Sequence, residues 1–189
     1  MFNYWENKTT QLIKTPMSLY EKLQKATSEE DVKDTYIKAL GLKEYQKNLI
    51  DIQTKEIWFE AKDSAKHSTY AMFTQLMHYV QQALDKGEYI PPFLCVIDTQ
   101  KAAIMKSADV LPFLEKKTIK WGKSASGYTQ EALDAISAYI GTYFVSFKIE
   151  THEEEFISTI KNAIKNGDII RTQITPDNLK QVFDKWVLM

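Results

Sequence analysis

The chain has 189 residues, 44% of them hydrophobic and 12% aromatic, which suits one packed domain and excludes a mainly disordered chain. Lysine and arginine number 24 against 25 aspartate and glutamate, a net charge of −1, which counts against a stand-alone nucleic-acid binder unless the cations gather on one face. No apolar stretch approaches the ~20 residues that cross a bilayer. The opening Met1-Phe2-Asn3-Tyr4-Trp5-Glu6 lacks a secretory pattern, and the lone Cys95 reads as a small buried thiol, so a soluble cytoplasmic protein is expected.

In chain order, residues 16 to about 26 read as a helix. Thr27-Ser28, followed by acidic residues in capping-box spacing, opens a second helix that runs to Leu40 before Gly41, with Val32, Tyr36 and Leu40 on one face. Residues 49–52 and 56–62 read as a β-hairpin, and 68–86 as a long helix closed by Gly87. After Pro91-Pro92, strands 93–98 and 102–106 form a second hairpin through Thr99-Gln100-Lys101. Residues 115–128 read as a polar, lysine-bearing loop, 129 to about 140 as a helix and 143–149 as a strand. Helices 153–165 and 176 onward follow. The expected class is α/β or α+β, a central mixed β-sheet flanked by helices. Residues 1–175 form the expected domain; 176–189, carrying Val182, Phe183, Trp186 and Val187, form a C-terminal helix expected to lead into a missing downstream domain.

The chemistry concentrates in residues 50–62. Trp58, Glu60 and Lys62 alternate with Phe59 and Ala61, so the first three share a face. A two-residue turn at Thr54-Lys55 sets Asp51 opposite Trp58 and brings Asp51, Glu60 and Lys62 together; a three-residue turn throws Asp51 to the other face. Two carboxylates suit Mg²⁺, a hard cation that keeps several waters and takes substrate phosphate oxygens, and a neighbouring lysine can orient the attacking water or stabilise the oxyanion. Phosphodiester hydrolysis is the matching reaction. The alternative is an exposed cross-strand charge pair; Glu115-Lys116-Lys117 repeats the pattern in a polar stretch that reads as a solvated helix end.

Asp51 followed nine positions later by Glu60-Ala61-Lys62 resembles the core motif of PD-(D/E)xK nucleases, and Gln75-Leu76-Met77-His78-Tyr79 on the next helix resembles the Gln-hydrophobic-x-x-Tyr motif of several branches of that superfamily. Ser28-Glu29-Glu30-Asp31-Val32-Lys33 with Ala39-Leu40-Gly41 is similar to the first helix of restriction-enzyme nuclease domains, in which a glutamate adds an acidic group. The resemblance covers roughly the first half of the chain. It implies a restriction-endonuclease-like core, Mg²⁺ with Mn²⁺ able to substitute, and DNA as substrate. It also implies a methyltransferase and specificity region in the same longer polypeptide. The alternatives are a DNA-repair or phage-type exonuclease on the same core and a non-catalytic interaction domain.

Gln75 and Tyr79 lie four apart on one helix face, where an amide and a phenol can reach a phosphate, or else serve as surface amide and core. Glu29 falls on the apolar stripe of its helix, as a third metal ligand or as a partner of the helix dipole. His67 and His78 have no Cys or paired His at ligand spacing, so zinc is not expected. Lys116, Lys117, Lys120, Trp121 and Lys123, with the small residues Ser124 and Ser126 of the same loop, are the DNA-facing candidates, the lysines for phosphates and Trp121 for stacking on a base.

Overall fold

The computed structural model describes residues 16–167 apart from Lys117 and Thr142; the expected helix from Pro176 lies outside them. Ser18 opens α1 (Leu19–Leu23) with a reciprocal capping box to Glu21. Ser28 caps α2 (Glu29–Leu40) by accepting the Asp31 N–H, and Gly41 ends it in the left-handed region at φ 67°. Strands β1 (Ile52–Gln53) and β2 (Ile57–Ala61) lead into α3 (Thr69–Lys86), which Ser68 caps and Gly87 stops at φ 66°. Then come β3 (Phe93–Ile97), β4 (Lys101–Lys106), a 3-10 turn over Ser107–Asp109, α4 (Leu111–Lys116), α5 (Gln130–Ile140), β5 (Val145–Lys148) and α6 (Ile149–Asn166).

The five strands lie in the order β1-β2-β3-β4-β5. β2 and β3 are parallel and the other neighbours antiparallel. A parallel pair needs a crossover, and α3 supplies it. Every residue of β2 and β3 is buried, the consequence of helices on both faces of the sheet. Phe59, Ala61, Cys95, Ile97 and Phe147 pack with α1, α2 and α6; Trp58, Leu94, Val96 and Met105 pack with α3 and α5. The protein is thus an α/β fold with a five-stranded mixed sheet packed against helices. Among the described residues no helix is long and apolar enough to cross a membrane.

Several boundaries differ from the sequence reading, among them the first hairpin strand, which is Ile52–Gln53 in place of 49–52. Residues 111–116 form a helix that overlaps the start of the expected loop, burying Leu114 in the core beside α5. The last strand is shorter than 143–149 because pairing with β4 ends at Lys148, where the Ile149 N–H donates to the Gln100 carbonyl and the chain turns into α6. His152 has non-helical angles inside α6, marking a kink just before the start expected at 153.

Candidate active site

The hairpin turn is two residues long, but it uses Lys55-Glu56 in place of the expected Thr54-Lys55. The Thr54 N–H donates to the Ile57 carbonyl at 3.0 Å, and the Thr54 hydroxyl accepts from the Glu56 and Ile57 N–H groups at 3.2 and 2.9 Å. A threonine that ties down the following turn with its side chain belongs ahead of the turn pair. The register is accordingly Ile52 with Phe59 and Gln53 with Trp58. This displaces the expected pairing by two positions, and because strand side chains alternate with a period of two, each residue keeps its face. Asp51 arrives beside Glu60, where its Oδ2 accepts the Ala61 N–H at 2.8 Å.

Among the described residues two acidic side chains are buried, Asp98 and Glu60. Buried carboxylates need compensation, and they receive it differently. Asp98 caps the β3–β4 turn, accepting the Gln100 and Lys101 N–H groups at 2.7 and 2.8 Å and pairing with the Lys101 ammonium at 2.7 Å. Lys101 also donates to the Ala65 and His67 carbonyls, so this cluster fixes the loop that leaves β2. Glu60 is 1% exposed and meets the Lys62 ammonium, with Asp51 as a like-charged neighbour. Burial, followed by the Asp51 charge, pushes its pKa up to about 8 against the opposing pull of Lys62. Asp98 therefore reads as a structural cap, whereas Glu60 stands in an electrostatically costly place that fold stability does not explain.

Helix α2 brings further charge. The Lys62 ammonium lies 3.7 Å from Glu29, and the Lys33 ammonium lies 2.9 Å from Glu30, 3.4 Å from Asp51 and 3.8 Å from Glu29. Three carboxylates, those of Glu29, Asp51 and Glu60, thus alternate with two ammonium groups at the carboxyl end of β2. Burial and the Asp51 charge raise the pKa of Glu29; burial opposes the charge on Lys62, but Glu60, Glu29 and Asp51 outweigh it and hold that pKa up. The sequence reading assigned Lys33 no role in the site. Its signal was available, since it lies one helical turn beyond Glu29 and so on the same face.

No three His, Cys, Asp or Glu side chains among the described residues form a ready-made metal cage. Glu29 stands in the charge cluster through Lys62 and Asp51. Asp51 and Glu60 alone still fit Mg²⁺, which binds through one or two carboxylates and completes its shell with water and substrate phosphate.

Gln75 and Tyr79 lie on α3, on the side of the sheet that carries Glu60 and Trp58. The pKa of Tyr79 is raised, first by burial and then by the Glu60 and Asp51 charges, while a hydrogen bond from Gln75 works in the other direction. Both α3 residues therefore stand beside the carboxylates. A cleft of about 350 Å³ opens there, lined by Glu29, Lys62, His67, Gln75, Ser126 and Tyr128.

The loop chosen for DNA contact divides. Lys116, Lys120 and Lys123 are exposed, with Lys120 3.5 Å from Glu131, while Lys117 lies outside the described residues. Trp121 is partly buried against the core with its ring 5.3 Å from that of His78, so its indole is a packing group and not a free platform for a base. The part of the loop that reaches the cleft is Ser126, one of the small residues expected to face DNA, and Tyr128, which the sequence reading did not single out. A tight backbone approach shapes it: a Cβ on Gly122 would sit 1.6 Å from the Gly127 carbonyl oxygen. Gly122→Ala is expected to displace this wall of the cleft and destabilise the fold by roughly 1–3 kcal/mol, as overpacking does. Urea unfolding and near-ultraviolet circular dichroism check this; wild-type values for both would show that the loop rearranges freely.

Comparison with protein-family models, with curated proteins and with solved structures yields no match to this chain.

Proposed function

We propose that this chain is a metal-dependent DNA endonuclease domain with a restriction-endonuclease-like core, hydrolysing phosphodiester bonds. The observation that carries the reading is the convergence of Asp51 and buried Glu60 with the Lys62 ammonium at the carboxyl end of β2, in an arrangement whose electrostatic cost has no structural return. Bound Mg²⁺, with Mn²⁺ able to replace it, would neutralise phosphate charge and acidify a coordinated water. Asp51 and Glu60 would hold the ion. The Ala61 N–H fixes one Asp51 oxygen, and Lys33 lies on the side of the other, so the carboxylate is oriented in advance. Lys62 is charged and half-buried, and it supplies a donor for the negative charge that builds on the phosphoryl oxygens. Gln75 and Tyr79 present an amide and a phenol on the adjacent helix face, suited to a non-bridging phosphate oxygen.

The near-neutral net charge implies few phosphate contacts and weak DNA affinity, so sequence selectivity is assigned to a specificity region, with a methyltransferase, in a longer polypeptide. Incubation of supercoiled and linear DNA with Mg²⁺, Mn²⁺ or EDTA tests the activity. Metal-dependent nicking of the closed circle is expected. Cleavage restricted to linear ends would replace the endonuclease by an exonuclease, and no cleavage with either metal would remove the catalytic reading.

A further inference from the structure

Beside the charge cluster, on the other side of Tyr79, lies a second cleft of about 620 Å³ between the β1–β2 hairpin and the C-terminal half of α3. Trp58 and Ile50 form its apolar floor. Four large hydrophobic side chains are strongly exposed among the described residues, and three of them line this one cleft: Tyr45 at 40%, Leu49 at 64% and Tyr89 at 60%. Such clustering marks a binding surface, since scattered exposed residues do not converge in a single depression. Tyr89 is also held in place, its hydroxyl donating to the Lys55 carbonyl at 2.9 Å while most of its surface stays open.

The lining chemistry narrows the occupant. Lys55 and Lys86 are balanced by Glu44 and Glu88, so the cleft has no net charge to attract a duplex backbone. It offers instead aromatic faces, together with the amides of Gln46, Gln53 and Gln82, which can donate to and accept from a base edge. Base-on-aromatic stacking needs no net charge and tolerates any base. Position narrows it further. Trp58 and Glu60 are successive residues on one face of β2, about 7 Å apart along the strand, and Tyr79 both lines the cleft and feels the Glu60 and Asp51 charges.

We propose that this cleft holds an unpaired nucleotide of a DNA strand adjacent to the Asp51–Glu60–Lys62 cluster, so that the chain engages single-stranded or frayed DNA in preference to an intact duplex. The binding half stands on the cleft alone; the statement that the neighbouring phosphate is cut rests on the nuclease reading above.

Fluorescence anisotropy with a labelled twelve-nucleotide oligo(dT) in EDTA separates the two. The wild-type chain is expected to bind it at least tenfold more tightly than a blunt duplex of the same length. Tyr45→Ala combined with Tyr89→Ala is expected to weaken oligo(dT) binding about tenfold or more, Tyr45→Phe to preserve it, and Lys22→Ala, at an exposed lysine of α1 that does not line the cleft, to leave it within about threefold of wild type. Such a pattern in a chain that cuts nothing with Mg²⁺ or Mn²⁺ supports the strand cleft and removes only the nuclease reading. Metal-dependent cutting with no loss of oligo(dT) binding in the double alanine variant overturns the cleft proposal, as does failure of the wild type to bind oligo(dT). A double variant that binds normally but shifts in oligomeric state by size-exclusion chromatography also overturns it, in favour of a protein-docking face.

Discussion

Lys62→Ala is expected to lower Mg²⁺-dependent DNA cleavage by roughly 10²–10³-fold, the usual cost of removing one donor aimed at charge that develops in the transition state. The fold should survive. Lys62 is the ion-pair partner of buried Glu60, and loss of such a partner is ordinarily severe when it strands a charge. Here the stranded group can take up a proton, because burial and Asp51 already raise its pKa to about 8 with the lysine present. Single-turnover cleavage and thermal unfolding measured together decide the matter. Cleavage equal to wild type would make the lysine decorative, and loss of the folded state would make it structural.

Glu60→Gln is expected to move activity and stability in opposite directions. Cleavage should fall by roughly 10³-fold or more, since an amide is a poor substitute for one of two metal-binding carboxylates and several kcal/mol of transition-state stabilisation goes with it. With EDTA present, however, the variant should be at least as stable as wild type at pH 6 and clearly more stable at pH 9. The sign follows from linkage: in the unfolded chain the carboxyl ionises near its ordinary 4.5, in the fold only near 8, so between those values the folded state binds the extra proton. Wild-type stability accordingly falls as pH rises from about 4.5 to about 8 and is level above, while the glutamine makes no such contribution. Urea melts of both proteins across that range measure it, and parallel pH profiles would contradict the assigned environment of Glu60.

Much of the fold was legible because local chemistry agrees with the tertiary structure. Ser28 and Gly41 bracket α2, Ser68 and Gly87 bracket α3, and these side-chain caps and left-handed glycines act within a few residues of themselves. The charge cluster was legible for a different reason. The turn lies one residue later than expected, at Lys55-Glu56 in place of Thr54-Lys55, but this shifts the cross-strand pairing by two positions, and an even shift leaves each side chain on its face. What sequence could not supply depends on contacts across the chain. Lys33 enters the cluster only because α2 docks beside the β2 end, and Trp121 turns inward because His78 on α3 and the neighbouring core receive it. The 620 Å³ cleft has no motif at all, since Tyr45, Trp58, Tyr79 and Tyr89 come from four separate stretches of chain.

The claim on which the rest depends is that Asp51 and Glu60 share a divalent ion. A crystal of the chain soaked in Mn²⁺ and measured at the manganese absorption edge tests it most directly. An anomalous peak lying about 2.0–2.3 Å from a carboxylate oxygen of each residue, lost in Glu60→Gln, is the expected result. A well-ordered site with no peak between the two carboxylates, at a manganese concentration that supports or saturates any cleavage the chain performs, would contradict it.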